Sequence, residues 1–349
     1  KNKYALSNGD VEFRKFTLLG DPVIQLAQPH NEIRTDSVNG ISISIFNDTL
    51  KALSKVRISG QVVDFMGNEL NNFNGVVYPT IYDKESQLTT LANSPGSFVA
   101  NFNMWKNIVY KGKATVTNGK FSLEFIVPQD ISYTVGASRF SFYAENQQTD
   151  AHGYSHEAKM GGINLNASVD DQGPTVQLFL NNFSFVNGGM TNENPMLLAK
   201  IFDENGINTV GNGIGHNLEV RIDNNSEPIN LNEYYEADLD TYKSGKISFP
   251  LSDLSPGNHV LHLKVWDVYN NSTDTELEFT VVAEEDIAID NLLNYPNPFT
   301  TNTEFSFETN QICDYLDIQI QVFSITGKLI KTIQQRNNNN GFRINGIFW

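Results

Sequence analysis

The 349 residues carry 24 Lys and Arg against 40 Asp and Glu, a net charge of −16. That balance argues against a nucleic-acid partner, which needs clustered cations to meet phosphates, and suits a soluble cell-surface or extracellular protein. The single cysteine, Cys313, cannot form an internal disulfide, and no apolar run approaches the roughly 18–20 residues of a membrane-crossing helix.

Thirty residues cannot bury a core of their own. Lys1-Asn2-Lys3 reads as mid-domain sequence, without the basic and apolar regions of an export signal. Phe16–Pro22 then leads into an alternating Val23–Leu26 run. Phe16–Pro22 followed by that run resembles the end of the catalytic domain in gingipain-family cysteine peptidases, which implies that residues 1–30 form the C-terminal tail of a larger α/β peptidase-like domain lying upstream.

Residues 31–166 read as a β-sandwich. Ile41, Ile43 and Ile45 alternate with serines, Val56 and Ile58 precede Gly60, and Val62-Val63 follow it. In Gly75–Tyr82, Pro79 lacks a donor and demotes the strand to an edge or a bulge. Asn118-Gly119, between alternating runs, is the clearest hairpin. Residues 83–107 are polar and predict a loop excursion, Arg139–Tyr143 a late strand, and 152–162 a glycine-bearing loop.

Residues 167–284 predict an immunoglobulin- or fibronectin-like sandwich. Asp170–Pro174 is a linker. Strands follow at Val176–Leu180, Met196–Phe202, Leu218–Ile222, Lys246–Leu251, Val260–Trp266 and Thr275–Val282. Turns fall at Asp203–Gly206 and Asp267–Asn271. Glu284–Asp286 is an acidic break.

Residues 285–349 open with Tyr295-Pro296-Asn297-Pro298-Phe299. Period-two strands follow, with Phe305 and Phe307 on one face, then Leu316, Ile318, Ile320 and Val322. Thr326-Gly327 turns the chain into a further strand, and Asn337–Asn340 is a polar loop. A sandwich with this few strands leaves an unpaired edge, to be covered by further residues or by a partner. The fold class is therefore all-β, a tandem of immunoglobulin-like sandwiches after the peptidase tail.

Candidate chemistry is sparse. Cys313 is the sole thiol and has Asp314 beside it, whereas a reactive thiolate needs an electropositive site or a base. His152 and His156 have i,i+4 spacing, which chelates zinc only on a helix, and Gly153 disfavours one. His259 and His262 fall on opposite faces of a strand. Glu233, Glu236, Asp238 and Asp240 could supply calcium oxygens but read better as a solvated acidic loop. Gly211–Gly215 resembles a phosphate loop yet precedes a strand, so no helix N-terminus is available. Asp36-Ser37-Val38 and Asp48-Thr49-Leu50 look like the O-glycosylation motif of exported Bacteroidota proteins. No catalytic, cofactor or metal residue is assigned.

The Tyr295–Phe299 opening and the Gly327-Lys328-Leu329-Ile330 strand resemble the C-terminal sorting domains of the type IX secretion system. Phe16–Pro29, Tyr110–Tyr133, Gly188–His216 and Lys264–Ser272 resemble the sortase branch of the gingipain-family cysteine peptidases. The resemblance implies a parent enzyme with a His/Cys dyad upstream of Lys1, at the cell surface and associated with the outer membrane. Its activity would be removal of C-terminal signals from secreted cargo and transfer of that cargo to anionic lipopolysaccharide. A PorV-like outer-membrane β-barrel is the implied partner. A cargo peptidase and a multidomain adhesin are the competing readings.

Overall fold

The computed structural model describes residues 28–94, 96–209, 215–223, 227–282, 289–309, 313–339 and 343–349. The expected peptidase-like tail (but for its last three residues), the glycines Gly211 and Gly213, and the acidic break at 284–286 lie outside the described residues. Every described element is a strand or a single 3-10 turn, so the chain is all-β.

The first core is built around Asn31–Val38, a strand not expected from its polar sequence. It pairs antiparallel with Lys55–Val63, Ile33 opposite Val62, and in parallel with Asp150–Ser155, Asn31 opposite Ala151. Lys120–Ile126 lies beyond Lys55–Val63. Arg139–Glu145, Gly75–Tyr82 and Ile108–Lys111 extend the other side, where Ala114–Val116 also pairs with Gly75–Tyr82. Asn118 and Gly119, at φ +49° and +74°, join Ala114–Val116 directly to Lys120–Ile126. These two strands lie at opposite ends of the sheet, so the turn rolls it until its ends meet. Ile33, Ile58, Val77, Ile81, Phe125 and Phe140 fill the interior.

Three expectations fail here. Ile41–Ser42 is only a two-residue strand, followed by a 3-10 turn at Ile43–Ile45, and Ile41 and Ile45 are exposed. The alternation belonged to a turn leaving Asn39-Gly40, not to a sheet face. Gly75–Tyr82 is an inner strand despite Pro79. The proline sits opposite the break between two short neighbours, where its carbonyl accepts from Gly112 N at 3.2 Å. The expected glycine loop 152–162 holds Asp150–Ser155 and Lys159–Ile163. Gly153 is required because a Cβ there would collide with the Ile33 carbonyl.

The second core lies between two sheets. Thr175–Leu180, Met196–Phe202, Ser244–Pro250 and Tyr235–Ala237 form one. Met190–Thr191, Ser272–Val281, Gly257–Trp266, Glu219–Ile222 and Ile229–Asn230 form the other. Alternation places Leu261, Leu263 and Val265 inward against Leu180, Leu197 and Ile247, as expected.

In the third core Glu304–Thr309 pairs with Ile289–Tyr295 and Arg343–Phe348, above the hairpin Cys313–Phe323/Leu329–Asn339. Asn337–Asn339 continue that strand where a polar loop was expected, and Asn340 lies outside the described residues. Among the described residues, Phe307, Ile344 and Ile347 are the buried hydrophobics here. Among the described residues the sandwich stays open beside Cys313–Phe323, where Leu292, Leu293, Phe305, Leu316, Ile318 and Phe323 line a groove of about 790 Å³.

The junction of the first two cores as the candidate functional site

Asp130, just before buried Ile131, projects from the first core into the second. Its side chain is 8% exposed. Asn270 Nδ2 donates to one oxygen at 2.8 Å. Asn208 Nδ2, at 3.1 Å, and His216 Nδ1, at 2.7 Å, meet the other. The backbone reinforces this contact, since Gln129 N donates to Val268 O at 2.9 Å. The His216 ring packs on Trp266 at 4.3 Å. Met by partners from three separate segments, this carboxylate holds two bodies together.

A second strap lies at the acidic segment. Asp240 accepts from Thr115 N at 2.7 Å and Thr115 Oγ1 at 2.6 Å, and Asp240 N donates to Lys113 O at 3.0 Å. Glu236 pairs with Lys113, Glu233 reaches Lys111 at 3.9 Å, and Asp238 accepts from Ser244 Oγ at 2.7 Å. The expected solvated acidic loop is thus mostly a docking edge, and its carboxylates are dispersed among cations and hydroxyls. Val109, Tyr110, Phe125, Tyr235, Tyr242 and Val268 pack between the straps and leave a void of about 20 Å³. Burial pushes both the Tyr110 and Tyr235 hydroxyls well above the ordinary tyrosine range.

Beside the junction, the linker and two turns bring Asp170, Asp203 and Asp267 together, with ligand oxygens within 4.8 Å of one another. Asp267 Oδ1 accepts from Tyr269 N and Asn271 N, and Asp203 Oδ1 from Asn205 N and Gly206 N. Asn205 Nδ2 reaches Asp170 at 2.6 Å. Burial pushes the Asp267 carboxyl up to about 6 against these hydrogen bonds, and nearby Asp203 adds repulsion. Asp203 is also raised, first by burial and then by Asp170 and Glu204. Such oxygens could share a proton or a divalent cation, either of which would relieve the repulsion. The sequence displayed these three as unrelated turn residues. The recurring Asp with Asn or Gly two to four residues later was the signal available.

The other sequence candidates stay apart. His152 points outward from a strand, while His156 stacks on Trp105 at 5.0 Å. His259 is buried between Asp223, at 2.9 Å, and the Ser255 carbonyl, at 2.7 Å, whereas His262 faces Glu276 at 3.3 Å from the opposite side of its strand. Cys313 is the first residue of its strand, as expected. Ser37 lies in a ladder with neighbours on both sides, and Thr49 opens a short strand.

No curated protein matches the chain. Fibronectin(III)-like modules of Clostridium thermocellum CbhA are 14% identical, with 72% of this chain and 95% of that one covered and a TM-score of 0.21. The FN1–FN3 domains of chicken CNTN1 are 10% identical, with 91% and 88% covered and a TM-score of 0.21. Dimeric latent PorU from Porphyromonas gingivalis is 28% identical over 95% of this chain, with a TM-score of 0.46, and the chain spans 31% of that protein's length. Along its length the chain is similar to PorU, and its residues 294–346 match the secretion system C-terminal sorting domain, which indicates secretion across the outer membrane.

Proposed function

We propose that the chain is the non-catalytic C-terminal region of a type IX secretion sortase, whose whole form trims C-terminal signals from secreted cargo and transfers the cargo to anionic lipopolysaccharide. The match of residues 294–346 to a sorting domain supports the secretion-system part of this reading, and the resemblance of Phe16–Pro29, Tyr110–Tyr133, Gly188–His216 and Lys264–Ser272 to the sortase branch favours the sortase within it. In it, residues 31–166, 167–284 and 285–349 are three sandwich domains, and none of their side chains performs the chemistry. The two straps at the first junction support a rigid spacer that sets the distance between a catalytic part and a docking part. Docking goes to a PorV-like outer-membrane barrel through sheet edges and aromatic loops.

The test is incubation of this chain with a peptide spanning a cargo C-terminal signal, with a purified PorV-like barrel assayed in parallel. The expected result is barrel capture without peptide cleavage. Measurable cleavage, or no capture, would overturn the reading. The sorting-domain match fits a cargo peptidase equally well, and the intact mass of the mature surface protein separates the two. A retained terminal domain supports the sortase, and a removed one supports the cargo.

A further inference from the structure

The polar excursion expected at 83–107 is an arm that pairs with no other sheet among the described residues. Ser86–Thr89 and Asn101–Met104 form a two-stranded hairpin, with Ser86 opposite Met104 and Leu88 opposite Phe102. This register gathers Leu88, Phe102 and Met104 on one face and Gln87, Thr89, Asn101 and Asn103 on the other. Beyond the strands, Leu91 is 85% exposed, Phe98 80% and Val99 64%. A lone two-stranded hairpin is marginal in water, and this one holds its largest side chains out into it.

Two further features say what covers it. The twenty residues from Ser86 to Trp105 contain no Asp, Glu, Lys, Arg or His, in a chain that is 18% charged. Charges resume only at the base, at Glu85 and Lys106, where Trp105 stacks on His156 under the Arg139 guanidinium. A few hydrogen bonds close the tip on itself. Thr90 N donates to Ala100 O at 2.9 Å, Ser97 N to Ser94 O at 3.0 Å, and Ala100 N to Thr90 Oγ1 at 2.9 Å. Ser97 Oγ donates to Ser94 O at 2.6 Å. Absence of charge and an aromatic, cationic collar are what a hydrocarbon boundary demands.

We propose that the hairpin arm Ser86–Met104 dips into the acyl boundary of a lipid bilayer, anchored by Leu91, Phe98 and Val99. The attachment is apolar, so it resists salt. It favours zwitterionic surfaces, because the chain carries −16.

Flotation of the full chain with phosphatidylcholine vesicles tests this, beside the double variant Leu91→Ser/Phe98→Ser. Both positions are exposed, so the variant should fold normally, and an unchanged thermal melt verifies that. The wild type is expected to float equally at low and high salt and less well when phosphatidylglycerol is added. The variant should lose about tenfold or more in vesicle binding. Wild-type chain that does not float, a variant that floats equally, or binding abolished by salt overturns the proposal. So does a wild type that ignores vesicles while burying Phe98 against a purified outer-membrane protein.

Discussion

His216 Nδ1 lies 2.7 Å from Asp130 Oδ2, although one residue precedes Leu218 of the second core and the other precedes Ile131 of the first. A single carboxylate thereby receives donors from three separate segments of the neighbouring body. Removing it leaves those donors facing a poorly hydrated gap. Asp130→Ala should destabilise the junction by about 2–4 kcal/mol, since hydrogen bonds to a charged group are worth about 1.5–3 kcal/mol and are not additive. Calorimetry is expected to show the joint unfolding of the two cores splitting into two transitions. An unaltered single transition would mean that the apolar packing alone couples them.

Asp240 should matter more than its charged neighbours. It makes two hydrogen bonds to Thr115, while Lys111 and Glu233 are largely solvated. Asp240→Ala is expected to cost about 1–3 kcal/mol, and Lys111→Ala under about 1 kcal/mol. Chemical denaturation of the two variants side by side checks the order, and equal losses would refute it.

The acidic trio predicts an inverted response to mild acid. Asp267 titrates near 6 in the folded chain and near 3.8 when exposed, so the folded state holds its proton more tightly. Stability from this group should therefore grow as pH falls through about 6, and be complete only below the unfolded value. Above 6 the buried charge costs on the order of 3 kcal/mol at most. A melting temperature that rises from pH 7 to pH 5, and a flatter profile for Asp267→Asn, are the outcomes to look for. A monotonic fall in both proteins would contradict this assignment.

The third core should fail alone. Its buried hydrophobics are Phe307, Ile344 and Ile347, with Phe305, Leu316, Ile318, Ile320 and Ile333 half-covered. Phe307→Ala, at about 3–5 kcal/mol, should unfold the terminal strands while leaving the first two cores intact. Limited proteolysis would show cleavage beyond residue 289 and a resistant fragment before it. Loss of the whole chain at the same protease level would show that the third core is coupled to the others.

Strands with strict alternation were legible, because each buries one face: Gly257–Trp266, Lys120–Ile126 and Thr175–Leu180 fell close to where the pattern put them. Asn31–Val38 was not legible. It is central, yet only Ile33 and Val38 are buried, and its polar residues look like loop. Its role comes from two partners distant in sequence. The junction was invisible for the same reason. Asp130, Asn208, His216 and Asn270 are ordinary loop residues until topology assembles them. The acidic segment was visible, but its purpose was set by lysines and a threonine more than a hundred residues earlier.

The place of Asn31–Val38 in the middle of its sheet also constrains the order of assembly. One neighbour, Lys55–Val63, emerges soon afterwards, whereas the other waits for Ala151. Whether the chain leaves a ribosome or threads a secretion pore, its earliest described strand must remain half-paired until the segment around residue 151 is through. Until then the strand presents an open flank to any other extended polypeptide. A holdase that shields such flanks is accordingly the assistance this sequence would need most during biogenesis.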